Sequence, residues 1–182
     1  EAPVIFTSVR ALEETLDHND VGLWGGISIL GNSRINSDVD QIASGEGIVL
    51  QNSLASFEIL AIGRHGLSVL EEQELLKYGG DDDTGDSGSL DYVSIRHAGS
   101  PVTSAYGEEF PALLFAGAGE GTTLSNIEVF ATAGDGLSIR GGLFDLRFFS
   151  IAYTPYNAVD VDEGFRGTLQ YGLIVQAAFE NS

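Results

Sequence analysis

A six-residue pattern, apolar at its first, fourth and sixth places, returns along the second half of the chain. It reads LDYVSI (90–95), LSNIEV (124–129), LFDLRF (143–148) and, less perfectly, LQYGLI (169–174). Between its copies lies a second short apolar element, in PALLFAG (111–117), DGLSIRG (135–141) and NAVDVDEG (157–164). The central residues of that element, Leu113, Leu137 and Val159, stand 24 and then 22 residues apart. Strands this short cannot stand alone, but each can stack on its equivalent one period away and build a continuous inward ladder. The pattern therefore predicts an all-β chain folded as a right-handed parallel β-helix, a solenoid. An antiparallel sandwich also has short, evenly spaced strands, but its hairpins do not need the same pattern to return in every period. The expected inward residues are Val93, Ile95, Ile127, Val129, Leu146 and Phe148.

The rest of the chain fits the same scheme with interruptions. Val93 and Ile127 are 34 residues apart, so GSPVTSAYGEEF (99–110) reads as an insertion within a coil. PVIFTS (3–8), WGGISIL (24–30) and GIVLQNSLASFEILAIG (47–63) read as further coil strands. One or two short helical excursions are expected, in TSVRALEETLDHND (7–20) and LSVLEEQELLKYGG (67–80). In the second, Ser68 and Glu71 form a capping box, Lys77 sits in the last turn and Gly79 is the stop.

A chain of 182 residues suits one domain, 1–182. It does not open on methionine, and the expectation is a segment of a longer chain. A hydrophobic content of 43% is too high for disorder. The net charge of −19, from 27 acidic residues against 8 basic ones, repels nucleic acid and anionic membrane. It suits surroundings rich in salt or calcium, where cations screen the acids. With no cysteine, disulfides, zinc–thiolate sites and thiol catalysis are excluded. No apolar run approaches the roughly 18–20 residues of a membrane-spanning helix, so membrane insertion is not expected.

Two acidic clusters are the candidate sites. YGGDDDTGDSG (78–88) crowds Asp81, Asp82, Asp83 and Asp86 against the start of a strand. Hard carboxylate oxygens suit Ca²⁺, which takes six to eight oxygen ligands. The order does not match an EF-hand, because Gly85 falls at a ligand place and Asp86 at the glycine place. A hydrogen-bonded, solvated turn is the alternative. In DVDEGFRG (160–167), alternation sends Val159 and Val161 inward and Asp160 and Asp162 outward. With Glu163 and Arg166, those carboxylates have the makings of an acid–base pair for glycoside hydrolysis or of a Ca²⁺-assisted polysaccharide lyase. The other outcome is that Arg166 pairs with a neighbouring carboxylate and locks the coil corner. His18, His65 and His97 share no metal-ligand spacing. No serine sits in a nucleophile elbow. GAGEG (117–121) lacks the lysine of a phosphate loop and reads as a corner. Trp24 is either a sugar-stacking platform or core.

APVIFTS, LWGGISILGNSRIN, YGGDDDTGDSGSLDYVSIRHAG, GAGEGTTLSNIEVFATAGDGLSIRGG and DVDEGFRGTLQYGLIVQ, in that order, resemble secreted right-handed β-helix proteins of Bacteroidetes and related marine bacteria. The resemblance spans nearly the whole chain. It implies a parallel β-helix outside the cell or on its outer surface, without implying a reaction. GLSIRGG departs from the aromatic, acidic segment usual before the paired glycines, so no surface at Leu137–Arg140 is carried over from relatives. The expected function is a non-catalytic structural or adhesive module whose partners are itself, neighbouring β-helix segments or glycans. The alternative is a Ca²⁺-assisted polysaccharide-degrading enzyme or a glycan-binding module. The uncovered ends of a solenoid expose strand edges, which makes end-to-end stacking into filaments a further expectation.

Overall fold

A computed structural model describes residues 2–36, 47–48, 77–100 and 110–176. The strands are β1 (Val4–Phe6), β2 (Ile27–Leu30), β3 (Gly47–Ile48), β4 (Lys77–Tyr78), β5 (Ser89–Arg96), β6 (Leu113–Ala116), β7 (Thr123–Phe130), β8 (Leu137–Arg140), β9 (Asp145–Ala152), β10 (Val159–Asp162) and β11 (Thr168–Val175). β1 and the long strands stack in parallel in the order β1-β5-β7-β9-β11, and the four-residue strands in the order β2-β6-β8-β10. Each coil thus gives one strand to each stack and pairs with the coils on either side. This is a parallel β-helix. Leu113, Leu137 and Val159 occupy one rung, as their spacing implies, with Ile27 below them.

The inward ladder is shifted at one place. Val93, Ile95, Ile127, Val129 and Leu146 are buried, but Phe148 is 53% exposed. The third copy of the pattern is LRFFSI (146–151) rather than LFDLRF, since Phe149 pairs with Ile127 and Ile151 with Val129. The physical cause is a left-handed residue at the third place of every copy. Tyr92, Asn126, Phe148 and Tyr171 all have φ between 53° and 61°. That conformation bends each long strand and resets its alternation, so that places one, four and six face the same way. Phe148 sits on the bend and points out.

The core lies between the two stacks, around Ile95, Leu113, Phe115, Leu137, Ile139 and Leu146. Phe115, Phe144 and Phe165 extend it in a chain of ring contacts at 5.2 and 4.9 Å. Trp24 packs against this core and donates its indole N–H to the Arg96 carbonyl at 2.7 Å, so it is core and not a platform. A smaller cluster covers the outer side of β6, where Leu114 and Ala116 meet Tyr78, Phe110, Leu30 and Ile35.

The excursions differ in part from expectation. In 7–20 the helical part is one 3-10 turn, Val9–Leu12, whose entry is held by the Ser8 hydroxyl accepting from the Arg10 amide. Lys77 is not in a helical turn. It belongs to β4, antiparallel to β3, and the extended backbone lets Tyr78 reach the outer cluster. The capping box Ser68–Glu71 and His65 lie outside the described residues. The 99–110 insertion closes at its neck, where Ser100 and Phe110 exchange backbone hydrogen bonds at 3.0 and 2.9 Å. No helix among the described residues is long and apolar enough to cross a membrane.

Candidate functional site

The aspartate loop runs from β4 to β5 and lies on the corner that follows β6. Its backbone carbonyls at Asp83 and Gly85 accept from the amides of Glu120 and Gly121, at 2.8 and 3.1 Å. GAGEG is therefore a corner in contact with the loop. Asp82 and Asp86 serve the loop's own turns. Asp82 Oδ1 accepts from the amide and hydroxyl of Thr84 at 3.1 and 2.8 Å, and Asp86 Oδ1 from the Gly88 amide at 2.7 Å. These are the side-chain-to-backbone bonds that aspartate forms readily in turns. Asp81 is exposed. Among the described residues, no three His, Asp or Glu side chains converge in a way that could hold a metal ion.

Asp83 looks elsewhere. Arg166, from the segment between β10 and β11, donates from both terminal nitrogens to it, Nη1 reaching Oδ2 at 2.8 Å. The Ser33 hydroxyl and the Arg34 amide also donate to Oδ1, at 2.8 and 3.2 Å. The Arg166 fork, helped by those two donors, holds the Asp83 carboxyl well below the usual carboxylate range. In turn the carboxylate raises Arg166. The two acidic clusters of the sequence thus meet through one ion pair, with Ser33 and Arg34 after β2 as third party.

The other members of DVDEGFRG separate in role. Glu163 has φ 53° and continues the corner rung that Gly117 and Gly141 occupy with φ 62° and 59°. Its carboxylate accepts from the Tyr78 hydroxyl at 2.8 Å and lies 3.6 Å from Arg140 Nη1. Burial, then the bond to Glu163, pushes the Tyr78 hydroxyl well above its ordinary value. Asp162 Oδ1 accepts from the Glu163 amide at 2.7 Å and is exposed. Asp160 faces outward beside the buried Ser138, and its carboxyl is raised, first by burial and then by the charge of Asp135. Val159 packs on the core as expected. Val161, in the rung of Ile139, is 47% exposed because β10 is the edge of its sheet among the described residues.

Paired charges and left-handed corners on stacked parallel strands describe an architecture, and the family comparison agrees. The model for a pectate-lyase-like β-helix domain matches residues 1–182. The chain belongs to that family. No curated protein and no solved structure matches it closely enough to add a relative. Within this pectate-lyase-like β-helix domain, sequence reasoning found both halves of the Asp83–Arg166 pair but missed Tyr78, Ser33 and Arg34, which lie far off along the chain. It also missed the aromatics on the bend, Tyr92, Phe148 and Tyr171. Their signal was the third place of the repeated pattern, which the slipped alignment of one copy concealed.

His97 is buried, with Nδ1 2.6 Å from the Asp20 carbonyl oxygen, and its ring meets Phe130 edge-on. His18 packs against Tyr153 at 4.7 Å.

Proposed function

We propose that this β-helix domain is a non-catalytic module, structural and adhesive, working outside the cell or on its outer surface. The observation that carries this reading is the engagement of the charged groups. Asp83 and Arg166 hold each other, and Glu163 is held by Tyr78 and Arg140. An arginine whose fork is filled by a carboxylate is poorly placed to act as a base or to bind a substrate anion. The groups join three segments distant in sequence, which is work of architecture.

Neighbouring β-helix coils are the proposed partners of the two sheet edges, whether from a second copy or from further chain. In support, β1 and β11 are opposite edges of one sheet among the described residues, and both expose apolar side chains, Val4 and Ile5 on one and Leu173 and Ile174 on the other. Parallel strand edges of this kind template further pairing.

One observation favours the second reading, a polysaccharide-degrading enzyme. Asp160 is half-buried with its carboxyl raised, as a general acid requires, and the family is described by its likeness to a lyase. Incubation with neutral and acidic polysaccharides, with and without Ca²⁺, tests both readings by release of reducing ends or unsaturated products. The expected result is no product above background. Turnover that Asp160→Asn or Asp162→Asn abolishes would reverse the order of the two.

A further inference from the structure

After β2 the chain runs along the solenoid axis. Residues 31–36 cross the corners that follow β6, β8 and β10, and each corner bonds to them through the backbone. The Gly31 amide donates to the Ala116 carbonyl at 2.9 Å and the Ser33 amide to the Gly117 carbonyl at 2.7 Å, both at the corner after β6. At the corner after β8 the Gly142 amide donates to the Arg34 carbonyl at 3.0 Å. At the corner after β10 the Glu163 carbonyl accepts from the Asn36 amide at 2.7 Å. An extended segment of this length reaches about 20 Å. The steps from β2 to β10 amount to about 14 Å at the usual strand spacing, so the segment has the length to cross them.

The corners are shaped for this close approach. A Cβ at Gly117 would stand 2.7 Å from the Gly31 carbonyl oxygen, one at Gly141 2.5 Å from Ile35 Cγ2, and one at Gly164 2.9 Å from Asn36 Cβ. Glycine at these places serves the left-handed turn and also leaves room for the crossing segment. That segment is held from its other side as well. The Gly31 carbonyl accepts from the Gly79 amide at 2.8 Å and the Asn32 carbonyl from the Asp82 amide at 3.0 Å. Ser33 is buried and donates to Asp83, and Ile35 packs on the outer cluster.

Coils of a solenoid are held by their immediate neighbours, so an edge coil can open while the rest stays folded. The coil of β1 and β2 is such an edge among the described residues. β1 pairs with β5 through Val4, Ile5 and Phe6, all exposed, and β2 pairs on one side only. We infer that residues 31–36 are an axial strap that ties the coil of β2 to the coils of β6, β8 and β10, so that these coils open as one cooperative unit. Losing β2 from its stack then also breaks bonds at the corner after β10, which a nearest-neighbour solenoid would not feel. The inference goes beyond the non-catalytic reading and does not depend on it.

Amide hydrogen exchange of the purified chain, read by mass spectrometry on peptides covering 27–33 and 137–140, tests it. In the wild type the two segments are expected to exchange at rates matched within about threefold, once corrected for their intrinsic rates. Two variants lift the far end of the strap and leave the core and the Asp83–Arg166 pair in place. Gly164→Asn suits the left-handed backbone but brings a Cβ against Asn36. Asn36→Pro removes the amide that donates to the Glu163 carbonyl. In these variants segment 27–33, away from both substitutions, is expected to exchange about tenfold faster than 137–140. A gap that appears in either variant and is missing from the wild type supports the strap. A gap already present in the wild type overturns it, and so do rates that stay matched in both variants.

Discussion

Alanine at position 83 removes the acceptor of four hydrogen bonds at once, two from Arg166 and one each from Ser33 and the Arg34 amide. Charge-assisted bonds contribute about 1.5–3 kcal/mol when sheltered, and fully exposed pairs about 0–1 kcal/mol. The Asp83 side chain is 22% exposed and that of Arg166 40%, which places their coupling between these limits, at about 1–2 kcal/mol. Asp83→Ala also strands Ser33 and Arg34, so its total cost is about 2–3 kcal/mol, or roughly 4–12 °C in a domain of this size. Arg166→Ala should cost less, because Arg34 Nη1 remains 3.5 Å from Asp83 and can move in. Urea denaturation of wild type, both single variants and the double variant measures the coupling directly. Additivity of the two losses to within about 0.5 kcal/mol would refute it. The pH dependence gives an independent check. Folding lowers the Asp83 pKa from its ordinary value of 3.8, so the clamp's contribution is present above about pH 4. It is lost as pH falls below that value, and the stability gap between wild type and Asp83→Ala should close there.

Gly167, in the corner before β11, and Gly172, within β11, should respond unequally. A Cβ at Gly167 would run into the Phe144 backbone carbonyl, whereas the nearest atoms to one at Gly172 are the far end of the Phe149 side chain, which can give way more readily than backbone. Gly167→Ala is therefore expected to lower the melting temperature clearly more than Gly172→Ala; equal losses would place the clash elsewhere. Ile95→Ala, in the fully buried core, should cost about 2–5 kcal/mol. The same change at the half-exposed edge residue Ile174 should cost about 1 kcal/mol or less in denaturant titration. Calcium binding at Asp81, Asp82, Asp83 and Asp86 entails a melting temperature that rises with millimolar Ca²⁺ and a rise that Asp82→Asn removes. A flat response leaves the loop as a hydrogen-bonded turn.

The architecture was legible because a solenoid repeats its physics. Leu113, Leu137 and Val159 share a rung since each coil must bury the same position, and their spacing in sequence reports it. Phe148 was misplaced because simple alternation ignores the left-handed residue that resets it, and only Asn126 among the four announces such a conformation by its chemistry. The candidate site was legible in its acids and hidden in its partners. Nothing local marks Ser33 as a donor to Asp83 or Tyr78 as a donor to Glu163. Those contacts arise from how coils and excursions stack, which a linear pattern does not carry. The same holds for Asp160, whose raised carboxyl comes from burial beside Asp135, a neighbour only across coils.

Whether Arg166 is architecture or chemistry is decided most directly by Arg166→Lys. Lysine keeps the charge but cannot fill both oxygens of Asp83 with one planar fork. Thermal melts of wild type and Arg166→Lys, with polysaccharide product release measured on the same samples, read both roles together. A structural clamp predicts a lower melting temperature in Arg166→Lys and background product in both proteins. Product formed by the wild type, lost in Arg166→Lys at an unchanged melting temperature, would contradict it.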